Sequence, residues 1–271
     1  MSHWAHTSHT LPQRRYHAPV SHATPTSEKF HSPSAAPAPP PALAVIIPTL
    51  NEERTVAACL HSVGQPPDTV IVVSDGGSRD ATVTQVRRLF PSVRIVSGAA
   101  GRGGQLARGV AAVPAEAYLF LHADCRLPVG WHPLVHAALS RPGVSLGCFR
   151  LHTEPPPGRS AGRAAQLWWR LLDLRSFGLG LPYGDQGLFL RAETLRRIGG
   201  VPDLPLMEDL ELARRCRQIG SITRLPVAIH TSARRFAGRP VHTRLCTLTF
   251  PWLYRLGVSA TRLATWYGYG R

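Results

Sequence analysis

From residue 42 onward, apolar runs and polar interruptions alternate regularly along the chain. Residues 42–48 form a short apolar run bounded by prolines, which predicts a buried strand. Asn51-Glu52-Glu53 then reads as a helix start with acidic side chains in its first turn. Val56, Cys59, Leu60 and Val63 give that helix one apolar face, and Gly64 stops it. Residues 69–73 predict a second strand, which runs into Asp75-Gly76-Gly77-Ser78. A helix from about Asp80 places Val83, Val86 and Phe90 inward. Residues 93–96 predict a third strand, 101–113 a helix with a glycine-rich start, and 117–121 a fourth strand ending at His122-Ala123-Asp124.

Strand and helix alternating at this spacing imply right-handed βαβ units and a parallel sheet. In such sheets ligands gather beyond the carboxyl ends of the strands. Three polar clusters fall there: Asn51-Glu52, 75–78 and 122–124. The second half is less regular. It predicts strands at 146–152, 187–190 and 228–231, and helices at 164–177 and 208–219. The first of these helices carries Leu167, Trp168 and Leu171 on one side, and the second ends at Gly220. Residues 248–269 predict amphipathic helix, with Trp252, Leu256, Leu263 and Trp266 apolar. The chain thus divides into a Pro/His/Ser-rich tail over 1–41, an α/β domain over 42–245 and a helical segment over 246–271. The tail lacks core-forming residues and reads as solvated and disordered.

Composition narrows the setting. The formal charge is +15, from 31 Lys+Arg against 16 Asp+Glu, and Lys29 is the one lysine. Arginine keeps its proton and grips phosphate bidentately, so the excess suits anionic partners. The five cysteines, Cys59, Cys125, Cys148, Cys216 and Cys246, show no CxxC spacing and an odd count. That opposes a disulfide framework and fits buried thiols in a reducing, cytoplasmic setting. No apolar leader and no apolar stretch of membrane-spanning length is present. A nucleic-acid-binding role is disfavoured: the arginines are scattered, aromatics are rarely interleaved with them, and no helix-turn-helix or zinc module is visible.

Candidate chemistry sits at the strand ends. Asp75 can accept hydrogen bonds from a pyrimidine edge or ribose hydroxyls, and its glycines allow close backbone approach. The same residues also make a plain turn and helix cap. Gly101-Arg102-Gly103-Gly104-Gln105 offers backbone N–H groups and a fixed positive charge to phosphate. His122 and Asp124, at i and i+2 of an extended segment, share a side and can address one hard divalent cation. Glu208-Asp209 opens a helix and can supply a general base, Asp209 in preference to Glu208. Arg234 and Arg235 follow a strand and can clamp a leaving diphosphate.

These residues together resemble the family 2 glycosyltransferases over about 45–235, through Val45–Glu53 (VIIPTLNEE), Val73–Asp80 (VSDGGSRD), Leu121-His122-Ala123-Asp124 and Met207-Glu208-Asp209. Gly101–Gln105, Tyr183–Gly187 (YGDQG) and Ser232–Arg235 (SARR) add a narrower similarity to the subgroup labelled arsenosugar-biosynthesis glycosyltransferases. The resemblance implies a GT-A type α/β fold, a mostly parallel Rossmann-like sheet flanked by helices with a mixed acceptor-side half. It implies an inverting, metal-assisted transfer of a sugar from a nucleotide diphosphate, UDP by preference. On it, Pro48, Asn51, Glu52, Asp75 and Gly77 hold the nucleoside, and Arg102 and Arg235 meet base or phosphate. Asp124, with His122, holds Mg²⁺ or Mn²⁺, and Asp209 deprotonates the acceptor hydroxyl. Asp185 and Gln186 line the acceptor side. His122 departs from the family, where many relatives carry a first aspartate. The acceptor is a small molecule or lipid-linked. For the latter, Trp168-Trp169-Arg170 and the C-terminal Trp/Tyr/Arg stretch offer peripheral contact at the inner membrane face, as against packing on the core or a partner subunit.

Overall fold

The computed structural model describes residues 41–155, 162–163, 166–171, 180–233 and 240–268. Eight strands form one sheet: β1 (Leu43–Thr49), β2 (Thr69–Asp75), β3 (Arg94–Ser97), β4 (Ala117–Phe120), β5 (Cys125–Arg126), β6 (Val144–Glu154), β7 (Leu188–Arg191) and β8 (Ser221–Ser232). Their order across the sheet is β3-β2-β1-β4-β7-β6-β8-β5. The β3-β2-β1-β4 half is parallel. β7 then runs antiparallel to β4 and β6, β8 pairs parallel with β6, and β5 runs antiparallel to β8. This is the α/β sheet with the parallel half that the alternation predicts and the mixed half that the family resemblance implies.

Helices cover both faces: α1 (Val56–Val63), α2 (Thr82–Leu89), α3 (Arg102–Ala112), α4 (Trp131–Leu139), α5 (Ala192–Arg197), α6 (Glu208–Ile219), α7 (Pro240–Arg255) and α8 (Ala260–Tyr267). β1 shows why its sequence lacks polar positions. Leu43, Val45 and Ile47 enter one core cluster with α1 and α4, while Ala44 and Ile46 enter the other with α3 and α6. A strand covered on both faces gains from apolar residues at every position, each worth roughly 1.5–3 kcal/mol when fully buried. All five cysteines are buried and unbridged.

Several elements differ from expectation. The first helix begins at Val56, not Asn51. Asn51 has φ 55°, and residues 51–55 form a turn in which the Glu52 carbonyl accepts from Thr55 and Val56 N–H. The helix expected over 164–177 is described at 166–171, where Leu167 and Leu171 are 60% and 54% exposed; its remainder lies outside the described residues. The predicted strand 228–231 is the end of the twelve-residue β8. The C-terminal helix begins at Pro240 and breaks at Gly257, so the 245/246 boundary falls inside α7. Val83 and Phe90 are only partly buried, because α2 lies near the β3 edge of the sheet. Among the described residues, no helix is long and apolar enough to cross a membrane.

Candidate active site

The carboxyl ends of the parallel strands carry two neighbouring polar regions of different construction. The first joins β1 and β2. Asp75, only 3% exposed, receives Thr49 Oγ1 at 3.1 Å and Ser78 Oγ at 2.6 Å on Oδ1, and the N–H groups of Gly77 and Ser78 at 2.9 Å on Oδ2. A carboxylate has about four acceptor positions, so this one is fully engaged by Thr49 of β1 and by its own turn. Asn51 locks onto the same turn: its N–H donates to Ser78 Oγ and its Oδ1 accepts from Arg79 N–H, at 2.9 and 2.8 Å. Glu52 N–H donates to Thr82 Oγ1 at 2.8 Å, and Glu52 Oε2 accepts from Thr55 Oγ1. Pro48 is half-buried and Gly77 exposed at this rim. Gln105 fastens the two strand ends from beneath, donating through Nε2 to the Thr49 and Ser74 carbonyls, both at 2.8 Å.

The glycine-rich stretch forms the first turn of α3, so the backbone N–H groups it could offer to phosphate are those of a helix start. A side chain at Gly103 would lie 2.4 Å from the Pro202 carbonyl, so glycine there allows α3 to touch the segment before α6. Arg102 is left to project toward α6, where its guanidinium reaches Glu208 at 3.8 Å.

The second region is a cavity lined by Arg102, His122, Asp124, Asp185 and Asp209, with Tyr183, Thr153, Thr231 and residues of α7 completing the wall. Thus five expected site residues converge. His122 and Asp124 do so from a turn after β4, not from an extended strand. Asp124 is 7% exposed and His122 8%. Donor atoms of His122, Asp124 and Cys125 lie within 4.8 Å of one another. Burial, and next the Asp124 charge, push the Cys125 thiol well above its usual range. The thiol donates to the Asp185 carbonyl and Thr231 Oγ1, both at 3.6 Å. The protonated thiol is a poor ligand. Imidazole and carboxylate are the donors that fit a divalent ion here.

Asp209 enters from the start of α6, after Met207, which adopts φ 67°. A left-handed non-glycine residue costs on the order of 1–3 kcal/mol and is held by its surroundings. It turns Glu208 inward, at 1% exposure, and Asp209 toward the cavity. Asp209 accepts Gly184 N–H on Oδ2 and Leu210 N–H on Oδ1, both at 2.7 Å. Gly184 fits between the two chemical groups: a Cβ there would lie 2.7 Å from His122 Nε2 and 3.1 Å from Asp209 Oδ2.

Other expected residues fall elsewhere. Gln186 donates to the Phe149 carbonyl and accepts from Tyr183 N–H, both at 3.1 Å, so its amide holds the short 3-10 turn Gly184–Gln186 together. Arg234 and Arg235 lie outside the described residues. Tyr183, Thr153 and Thr231 were not foreseen as site residues; β6 and β8 bring the last two together by pairing Thr153 with Thr231.

The sequence profile of glycosyl transferase family 2 matches residues 44–197, more than half the chain. The chain belongs to glycosyl transferase family 2. No curated protein sequence matches it significantly. Solved structures similar to this family 2 chain include a mannosyltransferase of Pyrobaculum calidifontis in complex with GDP-Man and Mn²⁺. It shares 18% identity at a TM-score of 0.59, over 82% of this chain and 67% of that one. TarS 1–349 of S. aureus in complex with UDP matches at 16% and 0.53, over 83% and 69%. Glucosyl-3-phosphoglycerate synthase of Mycobacterium tuberculosis, in complex with Mn²⁺, UDP and glucosyl-3-phosphoglycerate, matches at 21% and 0.50, over 78% and 79%. At these identities the likeness establishes a shared fold.

Proposed function

We propose that the chain moves a sugar from a nucleoside diphosphate, UDP by preference, to an acceptor hydroxyl with inversion in a single displacement. The observation that carries this reading is the meeting of Arg102, His122, Asp124, Asp185 and Asp209 in one cavity at the carboxyl end of the sheet. Asp209 is the base: it stands on a helix start, fixed by two backbone N–H donors, and takes the proton of the attacking hydroxyl. Arg102 faces the diphosphate and stabilises its charge as it leaves. Glu208, buried against Arg102, orients that guanidinium. Asp185 borders the acceptor.

His122 and Asp124 would hold the divalent ion, and the ion supplies positive charge to the diphosphate oxygens. An imidazole beside a single carboxylate favours Mn²⁺ over Mg²⁺, which prefers oxygen throughout. The neighbours crystallised with UDP or GDP-mannose and with Mn²⁺ support this choice of donor and ion. The nucleoside lies along the rim of Pro48, Asn51, Glu52 and Gly77. Because the Asp75 carboxylate is engaged, Asp75 serves by shaping the 76–79 turn whose backbone the nucleoside meets. Within the family 2 resemblance, the arsenosugar-type motifs remain a reading of the sequence and set no acceptor here.

The test is a melting-temperature screen of UDP, GDP and dTDP sugars with Mn²⁺ and with Mg²⁺. A ligand at 100 times its Kd stabilises the native state by about 2.7 kcal/mol. UDP with Mn²⁺ is expected to give the largest shift. No shift with any nucleoside diphosphate and either ion would overturn the reading.

A further inference from the structure

α7 has two unlike faces. At about 100° per residue, Leu245, Leu248 and Trp252 of α7, continued by Leu256 in the hydrogen-bonded turn after Arg255, fall within an arc of about 80°. They are 60%, 47%, 56% and 81% exposed. Thr243, Cys246, Thr247 and Phe250 occupy the opposite side and line the cavity. Phe250 and Cys246 also join Leu206 and Leu263 in a small core beneath α7 and α8. A helix already anchored through one face has no packing reason to carry four large apolar side chains on the other. A continuous exposed apolar stripe marks an interaction surface.

Charge identifies what covers it. No aspartate or glutamate follows Glu211 in the sequence, whereas Arg244, Arg255, Arg262 and Arg271 lie within the last 32 residues. Arg255 and Arg262 are exposed, as is Trp266 of α8 at 50%. A second copy of this face would set Arg255 and Arg262 against their own copies, and neither α7 nor α8 carries a carboxylate, which disfavours a two-fold dimer through the stripe. Anionic lipid headgroups neutralise the same arginines, leucines enter the acyl boundary and tryptophan sits at the interface. Sixteen residues, about 24 Å of helix, suffice to lie on a bilayer and not to cross it.

We propose that α7 and the turn that follows it dock the enzyme on an anionic membrane surface through Leu245, Leu248, Trp252 and Leu256. The cavity then lies one helix thickness, about 10 Å, from the lipid boundary. The docking does not depend on the glycosyl-transfer reading above.

Sedimentation of the full chain with vesicles tests the docking. The protein is expected to pellet with phosphatidylglycerol–phosphatidylcholine vesicles. Partition should fall about tenfold on pure phosphatidylcholine or in about 0.5 M salt, which screens the arginines. The variant combining Leu248→Ser, Trp252→Ser and Leu256→Ser should lose at least about tenfold in partition while its melting shift with UDP and Mn²⁺ stays as in the parent. A parent protein that stays in the supernatant, or a variant that pellets equally, overturns the proposal. So does a parent dimer that the variant dissociates, which would assign the stripe to a second copy. Vesicle binding with no melting shift from UDP and Mn²⁺ would uphold the docking and sink the transferase reading instead.

Discussion

Asp75 and Asp209 are both aspartates at the carboxyl end of one sheet, and the structure uses them in opposite ways. Asp75 collects four hydrogen bonds from Thr49, Gly77 and Ser78, so its charge builds a turn. Asp209 collects two backbone N–H bonds and borders the cavity beside His122, Asp124 and Arg102. The difference comes from what crosses above the strand ends. Over β1 and β2 there is the chain's own tight turn. Over β4, β6 and β8 the helices α6 and α7 arch far enough away to leave a hollow. Residue type at a strand end therefore names a candidate, and the covering elements decide between scaffold and chemistry.

The largest effect that would break this contrast belongs to Asp209. Asp209→Asn keeps an oxygen for a backbone donor but cannot take a proton. Turnover of the nucleotide sugar should fall about 10²–10⁴-fold, while the one backbone N–H left facing an amide NH₂ lowers the unfolding free energy by only about 1–3 kcal/mol. Near-parental turnover would remove Asp209 from the chemistry. Next comes Asp124→Ala, which should abolish the extra melting shift that Mn²⁺ adds to UDP while leaving that of UDP alone in place. An undiminished Mn²⁺ increment would place the ion elsewhere.

Asp75→Ala tests the other side of the contrast. It removes the acceptor that Thr49, Gly77 and Ser78 share, leaving four hydrogen bonds unmade. Urea unfolding should report a loss of about 2–4 kcal/mol. Loss of turnover without loss of stability would instead make Asp75 a direct ligand and erase the distinction.

How much of this was legible beforehand follows the same division between local and crossing structure. α6 was read to the residue, because an acidic start, an apolar period and Gly220 are all local signals. α4 was missed, because His132, Pro133 and His136 break the pattern that Trp131, Val135 and Leu139 would otherwise show. β8 was read only at its end, because Thr223, Arg224 and Pro226 interrupt its apolar positions. In the site, Arg102, His122, Asp124, Asp185 and Asp209 were visible as types placed after elements. Thr153 and Thr231 were not, since only the pairing of β6 with β8 makes them neighbours. The engagement of Asp75 was left open, because a turn and a ligand site share the sequence DGGS.

Glu211 sharpens the contrast within a single helix and carries the smallest effect. One turn after Glu208 and Asp209, it faces away from the cavity and accepts Arg214 Nε and Nη2 at 2.8 and 2.7 Å and Arg215 Nε at 2.8 Å. The hydrogen bonds from Arg214 lead in holding its carboxyl down at about 2. An unfolded glutamate titrates near about 4.3, so the folded state binds the proton less well. The stabilisation is therefore complete above about pH 4.3 and disappears as pH falls through about 2. The Glu211 side chain is 8% exposed but its partners are 49% and 35% exposed, so water screens the pairs from one side. Glu211→Gln should cost about 1–2 kcal/mol at pH 7, and chemical unfolding across pH should show that penalty shrinking below about 4. Turnover should stay within about twofold of the parent at pH 7, since Glu211 does not line the cavity. A penalty independent of pH would mean that Glu211 acts through packing against Tyr254, whose hydroxyl donates to it at 3.3 Å, and not through its charge.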